Sequence, residues 1–151
     1  MHLRFRQLGA LCVLAFSLSQ PAFGQDNAEK TPLGKKMSAM NTAFKAIGRQ
    51  IDDPAKNPST LEQLAIIETN AKAALELEPE KKEKVPTAEQ AKFIADYQAG
   101  IKQLLVTIDK MRTALKAGKN ADAATVLDSM KDQQRDSHKE FRIKKAGAPG
   151  S

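Results

Sequence analysis

A helical period that recurs four times constrains this chain more than anything else in it. From Leu33 the large apolar residues fall at Met37, Met40, Phe44, Ile47 and Ile51, with spacings of 4, 3, 4, 3 and 4. An α-helix with about 3.6 residues per turn puts them all on one stripe. Thr31 and Pro32 read as its N-cap and first helical residue, and the pattern runs out near "DDPAKNP". A second helix is predicted from Ser59 or Thr60 to Pro79, with Leu61, Leu64, Ile67, Ala71, Ala74 and Leu75 inward. The third opens with "TAEQ", where Thr87 and Gln90 have capping-box spacing. Its inward face is Phe93 or Ile94, then Tyr97, Ile101, Leu104, Leu105, Ile108, Met111 and Leu115, as far as Gly118. Asn120 is expected to cap the fourth, whose stripe reads Ala124, Leu127, Met130, Gln134, Ser137, His138 and Phe141.

No segment alternates with the two-residue period of a strand. The connections are short enough to make sequential helices antiparallel neighbours. The expected fold class is therefore all-α, an antiparallel up-down-up-down four-helix bundle. With 151 residues, 41% of them apolar and no Trp, the chain suits one small domain with an aliphatic core. The bundle is expected over residues 32–145, with a flexible leader at 25–31 and a disordered tail, "AGAPGS", at 146–151.

Residues 1–24 read as a secretory signal peptide: a basic start with His2, Arg4 and Arg6, an apolar run from Leu8 to Leu18, and "AFG" before Gln25. Because that run falls short of the roughly 20 apolar residues a span requires, no stable membrane insertion is expected. Cys12, the sole cysteine, lies inside the signal, so the exported chain has no thiol for disulfides, metal or nucleophilic catalysis. The signal contributes Arg4 and Arg6 and no acid to the net charge of +6, leaving 6 − 2 = +4 for the exported chain. Its lysines alternate with acids, as in "EPEKKEKVP", which reads as a solvated helical surface and not as a nucleic-acid interface. The small positive excess is compatible with an acidic partner protein.

Once the signal is removed, His138 is the only histidine. It falls on the inner stripe of the fourth helix, where Gln134, Ser137 and His138 interrupt the apolar pattern before Phe141 restores it. In an antiparallel bundle the start of the first helix and the end of the fourth share one end. At about 1.5 Å per residue, Met37 and His138 both lie within about 7–11 Å of that end. A thioether and an imidazole there are one of the axial pairs that hold a buried haem. Position alone does not choose between Met37 and Met40. A di-iron site requires Glu-x-x-His on two helices, a Ser-His-Asp triad requires partners off the histidine's own helix, and zinc requires more nitrogen or sulfur donors. Copper held by Met37, Met40 and His138 is a weaker alternative. So is a haem-free bundle that binds a partner protein or a metal ion.

Several motifs resemble the cytochrome b562 family of periplasmic four-helix bundles. "HKEFR" is similar to that family's His, two polar residues, aromatic and Arg. "DYQAGIKQLLVTID" resembles its third-helix run of aromatic, two residues, Gly and an apolar stretch ending Ile-Asp. "MSAMNTAFKAI" resembles its first-helix Met, followed seven residues on by a large apolar residue, Lys and an aliphatic pair. The likeness covers roughly residues 33–143. It implies one non-covalent haem b per chain, with Met37 and His138 as axial ligands of the iron, Met40 as an apolar contact and Arg142 beside a propionate. It also implies a periplasmic electron carrier serving an unknown redox protein, and no enzymatic activity, since six-coordinate iron leaves no open position. The related cytochrome c′ bundles attach haem through Cys-x-x-Cys-His. Gln134 and Ser137 stand at the two cysteine positions here, so covalent attachment is excluded.

Overall fold

A computed structural model describes residues 31–143 as four α-helices: α1 Pro32–Gly48, α2 Asn57–Ala74, α3 Thr87–Lys116 and α4 Asn120–Phe141. Short 3-10 turns at Pro54–Lys56 and Glu80–Lys84 punctuate the connections after α1 and α2, and no strand occurs among the described residues. The expected signal peptide at 1–24, the leader before Thr31 and the tail at 146–151 lie outside the described residues.

The core is the predicted stripe from each helix. Ile47, Leu64, Ile67, Ile108 and Met111 are fully buried, and Leu127 and Met130 extend the core along α4. Each such side chain contributes about 1.5–3 kcal/mol by leaving water, so packing of the four stripes, more than helix propensity, holds the bundle together. Within the helices, the buried positions absent from the predicted stripes are the small or hydroxylated residues Ala43, Thr60, Thr107, Ala114 and Ala123. Thr60 and Thr107 tolerate burial because each hydroxyl donates to the carbonyl one turn earlier, of Lys56 and Gln103, at 3.0 Å. Ala123 replaces Ala124 on the α4 stripe, since it stands one turn before Leu127 and two before Met130.

The helix ends follow local chemistry, with four departures from expectation, the first being that α1 ends at Gly48 and leaves Ile51 of its predicted stripe in the turn that follows. Thr31 does cap α1, its hydroxyl accepting from the Gly34 N–H at 3.0 Å. α2 starts earlier than Ser59, at Asn57, and ends at Ala74, ahead of Pro79. Thr87 is the first residue of α3, not its cap, and the Gln90 amide donates to the carbonyls of Lys82 and Val85, so there is no capping box. Asn120 likewise opens α4 from within and leaves the cap without a side-chain bond. Its amide donates to the Ile51 carbonyl and exchanges hydrogen bonds with Asn57, tying the first and third connections together. At Gly118 a positive φ of 69° permits a tight stop: Lys119 N–H reaches the Ala114 carbonyl and Gly118 N–H that of Leu115.

These bonds put both of those connections at one end of the bundle. The starts of α1 and α3 and the ends of α2 and α4 share the other. The neighbours α1 and α2, α2 and α3, and α3 and α4 pack closely, whereas α1 and α4 bring almost no Cα atoms within 8 Å of each other. That loose seam opens the bundle at the second end.

Candidate functional site

The loose seam contains a cavity of about 350 Å³. Met37 and Phe44 line it from α1, Tyr97 and Leu104 from α3, and His138 and Phe141 from α4, while Pro79 and Lys81 reach it from the connection after α2. A larger groove of about 580 Å³ between α1 and α2 is bordered by Lys35, Thr42, Gln63 and Ile66. It is an open surface groove with no convergent set of donors.

Local packing holds the walls in position. Phe141 packs edge-on against Tyr97, with ring centroids 5.7 Å apart, and lies 5.3 Å from Phe93, which presses the end of α4 onto the start of α3. The Tyr97 hydroxyl donates to the Ala74 carbonyl at 2.9 Å and so ties in the end of α2. Desolvation of this phenol pushes its pKa up to about 12. The last backbone bond of α4 runs from the Arg142 N–H to the His138 carbonyl at 3.2 Å.

All three residues singled out from sequence line this one cavity, Met37 from α1, His138 from α4 and Arg142 from just past the end of α4. Met40 lines it as well but is packed into the core at 8% exposure, whereas Met37 is half-buried. His138 is exposed overall. Partial burial of its ring, and secondly the Arg142 charge, still hold its pKa below the ordinary 6.5, so the neutral imidazole that can ligate a metal predominates at neutral pH. Gln134 and Ser137 are half-buried and face the same space. The interruption of the α4 stripe is therefore a layer that other side chains do not fill. Glu80, Lys81 and Gln133 also line the cavity and carried no sequence signal, because only the tertiary path of the chain brings them to it.

The cavity walls are largely apolar, and Glu80, Lys81 and Arg142 are among the residues lining them. The donor set suits a haem iron, with a soft thioether and a neutral imidazole on facing helices. A model of the cytochrome b562 family matches residues 32–142.

The chain belongs to the cytochrome b562 family.

A comparison with curated proteins finds no match. Membership makes the chain a haem-binding electron-transfer cytochrome, and its cofactor is a non-covalent b-type haem. No helix among the described residues is long and apolar enough to cross a membrane.

Proposed function

We propose that this cytochrome carries single electrons in the periplasm, with Met37 and His138 as the axial ligands of its haem iron and Arg142 pairing with a haem propionate. One observation carries the reading: Met37 and His138 line one cavity from helices that otherwise stand apart. Met37 is favoured over Met40 because, of the two methionines that line the cavity, it is the more exposed, Met40 being packed into the core. When bound, haem supplies a one-electron iron couple whose potential thioether ligation raises.

The chain's own residues do the rest. His138 offers a neutral nitrogen, kept so by burial and by Arg142. Phe141 and Tyr97 hold the α4 turn that presents it. If Met37 and His138 both hold the iron, they would leave it no coordination site for a substrate, which supports a carrier and not an enzyme. The signal-like residues 1–24 support export, and the excess of +4 in the chain that follows favours an acidic redox partner.

The test is the visible absorption spectrum of the protein purified from a haem-replete periplasm. It should show low-spin b-type haem, one per chain, and His138→Ala should abolish that spectrum, since residues 25–151 hold no second histidine. An unchanged low-spin spectrum in the variant refutes the ligation.

A further inference from the structure

Apart from His138, the ionisable acids and bases lining the cavity among the described residues, leaving the Tyr97 phenol aside, are Glu80, Lys81 and Arg142. All three stand at its mouth: two on the 3-10 turn after α2, one just past the end of α4. The walls below them are mostly apolar. A ligand seated here meets charged groups at one edge only, two cations and the Glu80 carboxylate.

Lys81 is held at that edge. Its ammonium donates to the Glu140 carbonyl in the last turn of α4, where the helix dipole favours positive charge. The turn that carries it is pinned to α3 by the Gln90 amide, which donates to the Lys82 and Val85 carbonyls at 3.2 and 3.0 Å. Pro79 beside it is buried. An ammonium has three N–H donors, so the bond to Glu140 leaves Lys81 able to bind an anion at the mouth.

We infer that Lys81 is a carboxylate-binding residue of the haem site, taking one propionate beside the end of α4 that also carries Arg142. This rests on the haem reading above. Two cations at the same end of the cavity would favour having the propionate edge of the macrocycle there, because only that edge is anionic while the rest prefers the apolar walls. Arg142 presents a planar fork and Lys81 a mobile point charge, so Lys81 adapts to the carboxylate that Arg142 does not fix.

The test separates charge from architecture. Lys81→Gln keeps a donor for the Glu140 carbonyl and removes the positive charge. Transfer of haem from the holoprotein to an excess of apomyoglobin should become about 3- to 10-fold faster in Lys81→Gln, the range for a partly exposed charge-assisted contact. Lys81→Arg should restore slow release. With haem dimethyl ester in place of haem, wild type and Lys81→Gln should release at the same rate, since the ester has no carboxylate to lose. Unchanged haem release in Lys81→Gln overturns the inference. So does an equal acceleration with the ester, which would make Lys81 a tether for the connection and nothing more. A wild-type chain that takes up neither haem nor ester refutes the haem reading itself, and that outcome is distinct from the other two.

Discussion

Gly100→Ala should move the apoprotein and the holoprotein in opposite directions. Gly100 lies inside α3 and lines the cavity proposed to hold haem, and a Cβ built on it would meet nothing nearer than the Ser137 hydroxyl oxygen, at 4.0 Å. That is ordinary van der Waals contact, so the added methyl costs the protein no strain and projects into the cavity. In a helix interior Ala is favoured over Gly by about 0.8–1 kcal/mol, because less backbone entropy is lost on folding. For a domain of this size that raises the apoprotein melting temperature by about 4 °C. Haem binding must then accommodate a methyl group where the cavity had space, at about 1–3 kcal/mol for an overpacked site, or roughly 5- to 150-fold in affinity. Thermal melting of the haem-free protein by circular dichroism reads the first effect, and haem titration followed at the Soret band reads the second. A destabilised apoprotein would mean that α3 and α4 approach more closely than described. Unchanged haem affinity would mean that Gly100 does not face the cofactor.

Met37→Ala should give high-spin or water-ligated iron and a lower reduction potential, read by absorption and redox titration; if Met40→Ala does so instead, the ligand is one turn further along α1. Asn120→Ala strips Ile51 and Asn57 of their amide partner at the closed end, about 27 Å from His138 along α4. It should cost about 1–3 kcal/mol in denaturant unfolding while leaving the haem spectrum unaltered, and a spectral change would contradict the separation of the two ends. Tyr97 makes the apoprotein sensitive to alkali. Its phenol titrates near 10 when unfolded and at about 12 when folded, so between these values the folded chain holds the extra proton and stability falls as pH rises. Tyr97→Phe should lower stability at pH 7 through loss of the bond to Ala74, yet lose less of it between pH 10 and 12; equal slopes in the two proteins would refute the buried phenol.

The four helices and their inward stripes were legible without coordinates, since a period of 3.6 is local and large apolar side chains leave few alternatives for what faces inward. Met37, His138 and Arg142 were singled out as well, because a polar break in an apolar stripe and a family-like ending are written along the chain, and all three line one cavity. The caps were less legible. Asn120 and Gln90 have the composition of capping residues, but partners distant in sequence compete for the same amides: Ile51 and Asn57 take Asn120, and the carbonyls before α3 take Gln90. Burial of Thr60 and Thr107 was equally hidden, since a hydroxyl satisfied within its own helix reads as polar in sequence and behaves as core in the fold. What only the tertiary structure decided is the shape of the site. The seam between α1 and α4 stays open because the four stripes close the bundle elsewhere, and the turn at Glu80–Lys84 crosses its mouth because Gln90 and Glu140 hold it there. Those contacts join residues far apart in sequence. No local pattern encodes them, and they bring Lys81 to a cavity whose other wall begins more than forty residues earlier, at Met37.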